Sequence, residues 1–174
     1  MLLNADSVCR LPFAPDMEVL CMYGVGILTE RAYIYKLSPC NDTCLIPFRI
    51  DASVGVSKEE AGLGCLKDGV YFVDGDETVP ALSAGLPCAK IWKGKNRFNP
   101  GGSKSFVREY DHQPPQTLLD GRGTHSASHV DIMGNFALIE DIARIATGGS
   151  GEGIGGNRIY SKLLEWAKRI DLKM

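Results

Sequence analysis

The sequence predicts an α/β fold in which short strands come first and helices follow. Apolar runs bounded by glycine or proline occupy the region before residue 111, and two apolar stripes with helical spacing come after residue 131. Of the 174 residues, 44% are hydrophobic and 23% are charged, which is typical of a globular core. The formal net charge of -2 gives no overall attraction to nucleic acid, so no nucleic-acid partner is expected.

The first strands are predicted from apolar runs and the residues that end them. Residues 18–23 form a buried strand that stops at a Gly-Val-Gly tripeptide, and residues 31–37 alternate as in a half-exposed strand. Residues 38–68 are rich in Gly, Pro, Asn and Asp and are predicted as loop. Residues 69–73 form a short apolar strand that runs directly into the acidic segment that begins at Asp74.

The second half is predicted as one short helix, one strand and two longer helices. The short helix lies within residues 81–92, and the strand covers residues 105–110 after a loop. Apolar residues from 132 to 146 recur at helical spacing before a glycine-rich loop, and residues 160–170 carry a second stripe. Since only three or four strands are predicted, the chain is expected to be the C-terminal part of a larger sheet fold.

Two residues placed after strands predict a catalytic pair. Asp76 follows the apolar strand at 69–73, and His129 ends a loop between the strand at 105–110 and the next helix. This is the order of the last two members of the serine–acid–histidine triad in α/β-hydrolases. In such a triad the carboxylate accepts from His Nδ1–H, while Nε2 exchanges a proton with the serine. The alternative interpretation is an ordinary acidic turn and a structural histidine.

The serine of such a triad is missing from its expected place. No G-x-S-x-G segment occurs in the sequence, and the nearest approach, around Ser83, comes after Asp76 instead of before it. A hydrolase-type site in this chain is therefore predicted to be incomplete.

Three other interpretations are kept. The D-x-D-x-T segment from Asp74 to Thr78 also fits Mg²⁺-dependent phosphatases of the haloacid dehalogenase type, with Asp74 as nucleophile. His125 and His129 have the i, i+4 spacing of a zinc pair, but Ser126 stands where the metalloprotease motif has Glu. The third is a short, non-catalytic protein that binds lipid or a partner.

The cysteines and one asparagine indicate an oxidising compartment. The chain has six cysteines without a C-x-x-C pair, and Asn41 begins an N-glycosylation acceptor triplet. No apolar run of about 18 residues and no signal-peptide pattern occurs, so no transmembrane segment is predicted. Between residues 90 and 108, basic residues surround Trp92 and Phe98, which fits either a solvated loop or contact with an anionic lipid surface.

Long segments of the sequence resemble the lecithin:cholesterol acyltransferase family, and within it the C-terminal portion of the plant phospholipid:diacylglycerol acyltransferases. The resemblance covers residues 15–174, whereas residues 1–14 form an unrecognised N-terminal segment. The segments that carry it include V-D-G-D-E-T-V-P and H-V-D-I-M and span residues 22–37, 73–85, 88–115, 118–149 and 165–173.

The resemblance implies an α/β-hydrolase fold, an acyl-serine mechanism and no cofactor. The reaction would move an acyl group from the sn-2 position of a phospholipid to diacylglycerol and form triacylglycerol. In the family pattern, Asp76 corresponds to the acid and His129 to the histidine, while Asp74 and His125 are second choices. The family's serine, oxyanion hole, lid and membrane anchor would precede this portion, so the chain alone is expected to be an inactive fragment.

The resemblance also implies disulfides and a location. A bridge is expected between Cys21 and Cys88, and Cys44 with Cys65 is the second candidate pair. Two cysteines are expected to be free, Cys9 and Cys40. The domain is expected on the lumenal side of the endoplasmic reticulum, at a membrane surface, where disulfides and glycosylation both occur.

Overall fold

The computed structural model describes residues 10–38, 47–55 and 64–172 of the chain. Its strands are β1 (Glu18–Val25), β2 (Ile27–Tyr33), β3 (Tyr35–Leu37), β4 (Phe48–Ile50), β5 (Cys65–Lys67), β6 (Val70–Gly75) and β7 (Lys104–Asp111). Its α-helices are α1 (Ala81–Leu86), α2 (Phe136–Ala146) and α3 (Leu163–Arg169). A π-helical turn (Pro87–Ile91) extends α1, and 3-10 turns cover Leu118–Asp120 and Asp131–Gly134. The fold is therefore mixed α/β, as the sequence predicts.

Strands β1 and β7 form a parallel pair whose C-terminal ends meet, with Val25 opposite Asp111. The outer edge of β7 is covered by the C-terminal segment, because Arg158 N–H donates to Val107 O and Arg158 O accepts from Glu109 N–H. No strand within the described residues pairs with the other edge of β1. The parallel pair thus has one covered edge and one open edge.

A second sheet is antiparallel and has the order β2-β6-β5. Strand β2 leaves β1 after a sharp turn at Gly26, whose φ is +93°. Strand β6 returns along β2, with Ile27 opposite Gly75. Because antiparallel neighbours place the end of one strand beside the start of the other, β6 ends close to the C-terminal end of β1. This excursion brings the acidic segment after β6 to the edge where β1 and β7 also end.

The main core lies between the β1–β7 pair and the helices α1 and α3. Its fully or almost fully buried members are Tyr23, Val25, Ala81, Cys88, Val107 and Leu163. Helix α1 approaches β1 closely at Gly85, where an added Cβ would lie 2.1 Å from the Tyr23 hydroxyl. A second cluster joins Tyr110, Ala127 and Leu138, and it fixes the loop before α2 against β7.

A buried charged cluster fastens α2 to β7. Arg108 donates to the Asp141 carboxylate from Nε and Nη2 at 2.8–3.1 Å, and the Tyr110 hydroxyl donates to it at 2.7 Å. Burial alone would raise the pKa of Asp141, but the donors from Tyr110 and Arg108 outweigh it and hold that pKa below its usual value. Arg158 Nη2 also donates to Asp141 Oδ2 at 3.1 Å, so this buried cluster joins α2 to β7 and to the segment beside it and fixes the position of α2.

The structure confirms most predicted elements and corrects three. The strands predicted at 18–23, 69–73 and 105–110 are present as β1, β6 and β7. The strand predicted at 31–37 is wrong in its bounds, because the chain forms β2 and β3 with a break at Ile34, whose N–H donates to Gly69 O. Part of the predicted loop at 38–68 forms β4 and β5, three-residue strands that depend on pairing with β3 and β6.

The first of the two predicted long helices begins later than its apolar stripe. Residues 131–134 form a 3-10 turn, and α2 starts at Phe136 because the Asn135 side chain accepts from the N–H groups of Ala137 and Leu138. An asparagine in this role satisfies N–H groups that have no partner inside the helix. The second predicted helix is confirmed as α3, within the predicted range 160–170.

One of the two expected disulfides is present. Cys21 on β1 and Cys88 in the π-helical turn are bonded, which is the pair that the family resemblance implies. Cys65 on β5 is a half-buried free cysteine, and its expected partner Cys44 lies outside the described residues. Four residues of the expected chemistry lie outside the described residues, namely Cys9, Cys40, Asn41 and Cys44.

Many large apolar side chains are exposed on this fold. Those more than half exposed are Phe13, Leu28, Tyr35, Leu37, Phe48, Leu119, Val130, Met133, Phe136 and Tyr160. In the parts of the chain that the structure describes, no helix has the length and hydropathy needed to cross a bilayer.

We expect reduction of the Cys21–Cys88 bond to destabilise the fold strongly. The bridge joins residues 67 positions apart, and a closed loop of that length is worth about 4 kcal/mol in the chain-entropy treatment. Urea unfolding with and without reductant measures the change in the free energy of unfolding. The control is Cys65→Ser, which should change it by less than about 1 kcal/mol. An equal urea midpoint in both conditions would contradict the prediction.

Candidate catalytic site

Asp76 and His129 meet at the edge of the sheets where β1, β6 and β7 end. The Nδ1 atom of His129 lies 2.9 Å from Oδ2 of Asp76. The main chains are also joined, since His129 N–H donates to Asp76 O at 2.8 Å. An ionised carboxylate only accepts, so the Nδ1 atom carries the proton in this contact. The contact joins two residues that are 53 positions apart in the sequence.

A tight turn after β6 fixes the Asp76 carboxylate. Its other oxygen, Oδ1, accepts from Thr78 N–H at 3.0 Å and from Val79 N–H at 2.6 Å. The turn puts Glu77 at a φ of +84°, which a residue with a side chain rarely adopts. Gly75 allows the close approach, because an added Cβ would lie 2.4 Å from Val79 O. The carboxylate is thus held by strained backbone, as is common at functional sites.

Thr29 supports this turn from β2. Its hydroxyl accepts from Glu77 N–H at 2.9 Å and donates to Ile27 O at 3.0 Å. Thr29 is fully buried, so no water can replace it. The strained residue beside Asp76 is therefore tied to the neighbouring strand through one hydroxyl group. Sequence reasoning missed Thr29, since it belongs to no motif and lies 48 positions from its partner.

The loop that carries His129 is packed against β1 and α2. Ala127 is fully buried, and its carbonyl lies so close to Gly24 that an added Cβ there would be 1.8 Å away. The Asn135 side chain donates to Ser126 O at 3.0 Å while its oxygen caps α2. Only glycine fits at position 24, so the end of β1 and the loop that carries His129 pack in direct main-chain contact.

The two side chains differ in exposure in a way that suits proton transfer. Asp76 is 7% exposed, and both of its oxygens have protein donors. The His129 side chain is 47% exposed, and no described residue forms a hydrogen bond with its Nε2 atom. The buried carboxylate can therefore orient the ring while Nε2 is free to face a reacting group.

The other predicted site residues are not part of this contact. Asp74 accepts from Gly26 N–H at 2.8 Å, and burial raises the pKa of its carboxyl group. His125 is exposed, and its backbone carbonyl accepts from Gln113 N–H. Within the described residues, no three His, Cys, Asp or Glu side chains are close enough together to hold a metal ion. Asp76 and Asp74 thus have separate partners.

A separate cavity lies beside the strand that leads to the pair. It has a volume of about 320 Å³ between β6, α1 and α3, and its lining includes Asp74, Leu82 and Trp166. Neither Asp76 nor His129 lines it. The cavity is therefore separate from the exposed His129 ring.

A buried carboxylate that holds an exposed imidazole at strand ends is the arrangement found in serine–histidine–acid enzymes. The chain belongs to the lecithin:cholesterol acyltransferase family, whose pattern matches residues 3–136. It is 60% identical over 165 residues to phospholipid:diacylglycerol acyltransferase 1 of Arabidopsis thaliana, covering 95% of this chain and 24% of that protein.

Other relatives carry related names. A phospholipid:diacylglycerol acyltransferase of Schizosaccharomyces pombe is 38% identical over 93% of this chain and 23% of its own length. Human phosphatidylcholine-sterol acyltransferase is 33% identical over 53% of this chain and 15% of its own. The chain therefore spans about a quarter of the length of its most similar relatives. No solved structure matches it.

We expect Thr29→Val to destabilise the turn that holds Asp76. Valine has the shape of threonine but leaves Glu77 N–H without its acceptor, which should lower the free energy of unfolding by about 1 kcal/mol. Thr29→Ser keeps the hydroxyl and serves as the matched control for that group. Urea unfolding of both variants checks the prediction, and equal stability of the valine and serine variants would be evidence against it.

Proposed function

We propose that this chain supplies the acid and the histidine of a lipid acyltransferase of the phospholipid:diacylglycerol type. The observation that carries the proposal is the 2.9 Å contact between Asp76 and His129, with the histidine ring exposed and the carboxylate buried. The serine nucleophile is proposed to lie in a part of the complete polypeptide outside these residues. The chain by itself is then inactive, since it holds two of three triad members.

The proposed mechanism passes through an acyl-serine intermediate. His129 Nε2 takes the serine proton as the serine oxygen attacks the sn-2 ester carbonyl of a phospholipid. The proton then goes to the leaving lysophospholipid oxygen, and the acyl group remains on the serine. The diacylglycerol hydroxyl next gives its proton to Nε2 and attacks the acyl-serine, which forms triacylglycerol and returns the proton to serine. Asp76 stabilises the imidazolium that forms in each half of the reaction.

The surface of the chain supports the idea that it completes a larger fold. Within the described residues, no strand pairs with the outer edge of β1, and native proteins usually cover or pair such an edge. Exposed apolar residues such as Val130 and Met133 lie directly after His129 in the sequence. We propose that the chain is the C-terminal part of an α/β-hydrolase domain and that the preceding part covers these groups.

The contacts of Asp76, Asp74 and His129 favour this proposal over the three other interpretations of the sequence. A Mg²⁺-dependent phosphatase would need Asp74 and Asp76 to face one ion, but Asp76 uses both oxygens on Thr78, Val79 and His129, and Asp74 accepts from Gly26 N–H. A zinc site would need further ligands beside His129, and within the described residues no three His, Cys, Asp or Glu side chains lie close enough together to hold a metal ion. The non-catalytic alternative gives no reason for a strained turn that holds a carboxylate against a histidine.

A chimaera tests the proposed function. In the Arabidopsis relative, the matching quarter is replaced by this chain, which is 60% identical to it. Membranes that contain the chimaera are given diacylglycerol and a phospholipid whose sn-2 acyl group is labelled. They should form labelled triacylglycerol and an equal amount of unlabelled lysophospholipid. Asp76→Asn and His129→Gln should each lower this activity by at least about 10³-fold, because both act in every proton transfer.

The matched control in the chimaera is His125→Gln, which changes an exposed histidine in the same loop and should keep the activity. Near-full activity of the His129→Gln chimaera would overturn the assignment. A chimaera that is expressed but forms no triacylglycerol, beside an active relative, would overturn the proposed function.

We further propose that the domain works on the lumenal side of the endoplasmic reticulum, against a membrane surface. The Cys21–Cys88 bond supports an oxidising compartment. Fewer cations between residues 90 and 108 can contact a membrane than the sequence indicates. Lys90 donates to two carbonyl groups at the end of α3, and Arg108 is buried. Lys93, Lys95 and Arg97 are exposed and could contact lipid, while the exposed Lys104 is paired with Glu152.

Glycosylation of Asn41 tests the location. If the domain is lumenal, endoglycosidase treatment of the expressed chimaera should increase its electrophoretic mobility, since the enzyme removes an N-linked glycan. In the Asn41→Gln variant, the increase in mobility on endoglycosidase treatment should be smaller by the contribution of one glycan. Digestion of the domain by protease added outside intact microsomes would place it on the cytosolic side and contradict the proposal.

A further inference from the structure

His112 makes a contact that the proposed mechanism does not use. It follows directly after β7, and its main-chain N–H donates to Val25 O at 2.9 Å. Its ring nitrogen Nδ1 lies 3.1 Å from the main-chain nitrogen of Ala127. An amide N–H can only donate, so Nδ1 accepts. The ring is therefore neutral, and its proton is on Nε2.

This contact fixes Ala127, a buried residue in the loop that carries His129. Ala127 is fully buried, and its carbonyl side is pressed against Gly24 on β1. Its N–H has no other partner in the described structure than His112. Loss of the acceptor would leave a buried donor unsatisfied, which proteins rarely tolerate. Ala127 is thus fixed on one side by β1 and on the other by the residue after β7.

We propose that His112 is a positioning residue for His129. By accepting from Ala127 N–H, it fixes the main chain two residues before His129 and so holds the His129 ring where Nδ1 meets Asp76. The proposal rests on the proposed role of His129. It assigns opposite tautomers to two histidines, with the proton on Nε2 in His112 and on Nδ1 in His129.

The tautomers can be read directly in the unmodified chain. Long-range ¹H–¹⁵N correlation spectra of the chain labelled at histidine report which ring nitrogen carries the proton. The sequence has three histidines, and the variants at positions 112 and 125 assign the signals. The expected result above the titration range of the rings is an unprotonated Nδ1 in His112 and a protonated Nδ1 in His129. A proton on Nδ1 of His112 would overturn the proposal without any substitution.

Two substitutions separate positioning from general stability. His112→Leu removes the acceptor, so exchange of the Ala127 amide hydrogen should rise roughly tenfold or more. The fraction of His129 with the proton on Nδ1 should fall in the same variant. His112→Asn offers an amide oxygen near the place of Nδ1 and should restore both properties. His125→Leu is the matched control in the loop and should change neither.

Three outcomes contradict the proposal. One is His112→Leu with unchanged Ala127 exchange and an unchanged His129 tautomer. Another is an equal rise in exchange across all strands, which would mean a structural role only. The third is His112→Asn behaving as His112→Leu does. If the leucine variant does not fold, the tautomer of the unmodified chain and the asparagine variant decide. None of these measurements depends on acyl transfer. An inactive chimaera would therefore contradict the proposed function, whereas the positioning role of His112 would still be decided by the tautomers and by the exchange of the Ala127 amide.

Discussion

The hydrogen bond between Asp76 and His129 is the contact around which this structure is arranged. It joins the segment after β6 to the loop before α2, and both must reach the same edge of the sheets. The parallel register of β1 and β7 makes that edge, because it aligns their C-terminal ends. The antiparallel return of β6 along β2 then brings Asp76 back to it. A functional role for Asp76 and His129 would explain why the chain forms β2 and β6 between β1 and β7.

The polypeptide reaches this arrangement through tight and strained backbone. Gly24 and Gly75 stand where a side chain would collide with main-chain oxygens, and Glu77 takes a left-handed conformation. Such conformations are stable only when the surroundings hold them. Thr29 holds the acid side from β2, and Asn135 holds the histidine side from the start of α2. The main chain on both sides of the contact is thus fixed by buried hydrogen bonds, while the His129 ring is exposed.

The sequence predicts the contact between Asp76 and His129 better than it predicts the residues that support it. Asp76 and His129 are found by their order after two apolar strands, since strand ends are where α/β sheets place functional groups. Thr29 and His112 act on partners 48 and 15 positions away, and isolated polar residues at such distances form no pattern. Strands β4 and β5 were missed because three residues are too few for an alternating pattern. The start of α2, in contrast, could have been predicted from Asn135 before the apolar run.

In this structure Asp76 orients His129 through a proton on Nδ1, and a one-dimensional proton spectrum can detect that ring proton. A hydrogen-bonded ring proton resonates far downfield of the amide region. We expect such a signal for His129 in the unmodified chain, its loss in Asp76→Asn, and its persistence in Asp74→Asn, since Asp74 accepts from Gly26 instead. A signal that survives in Asp76→Asn, or that disappears in Asp74→Asn while the fold is intact, would contradict the assignment of Asp76 as the partner of the histidine.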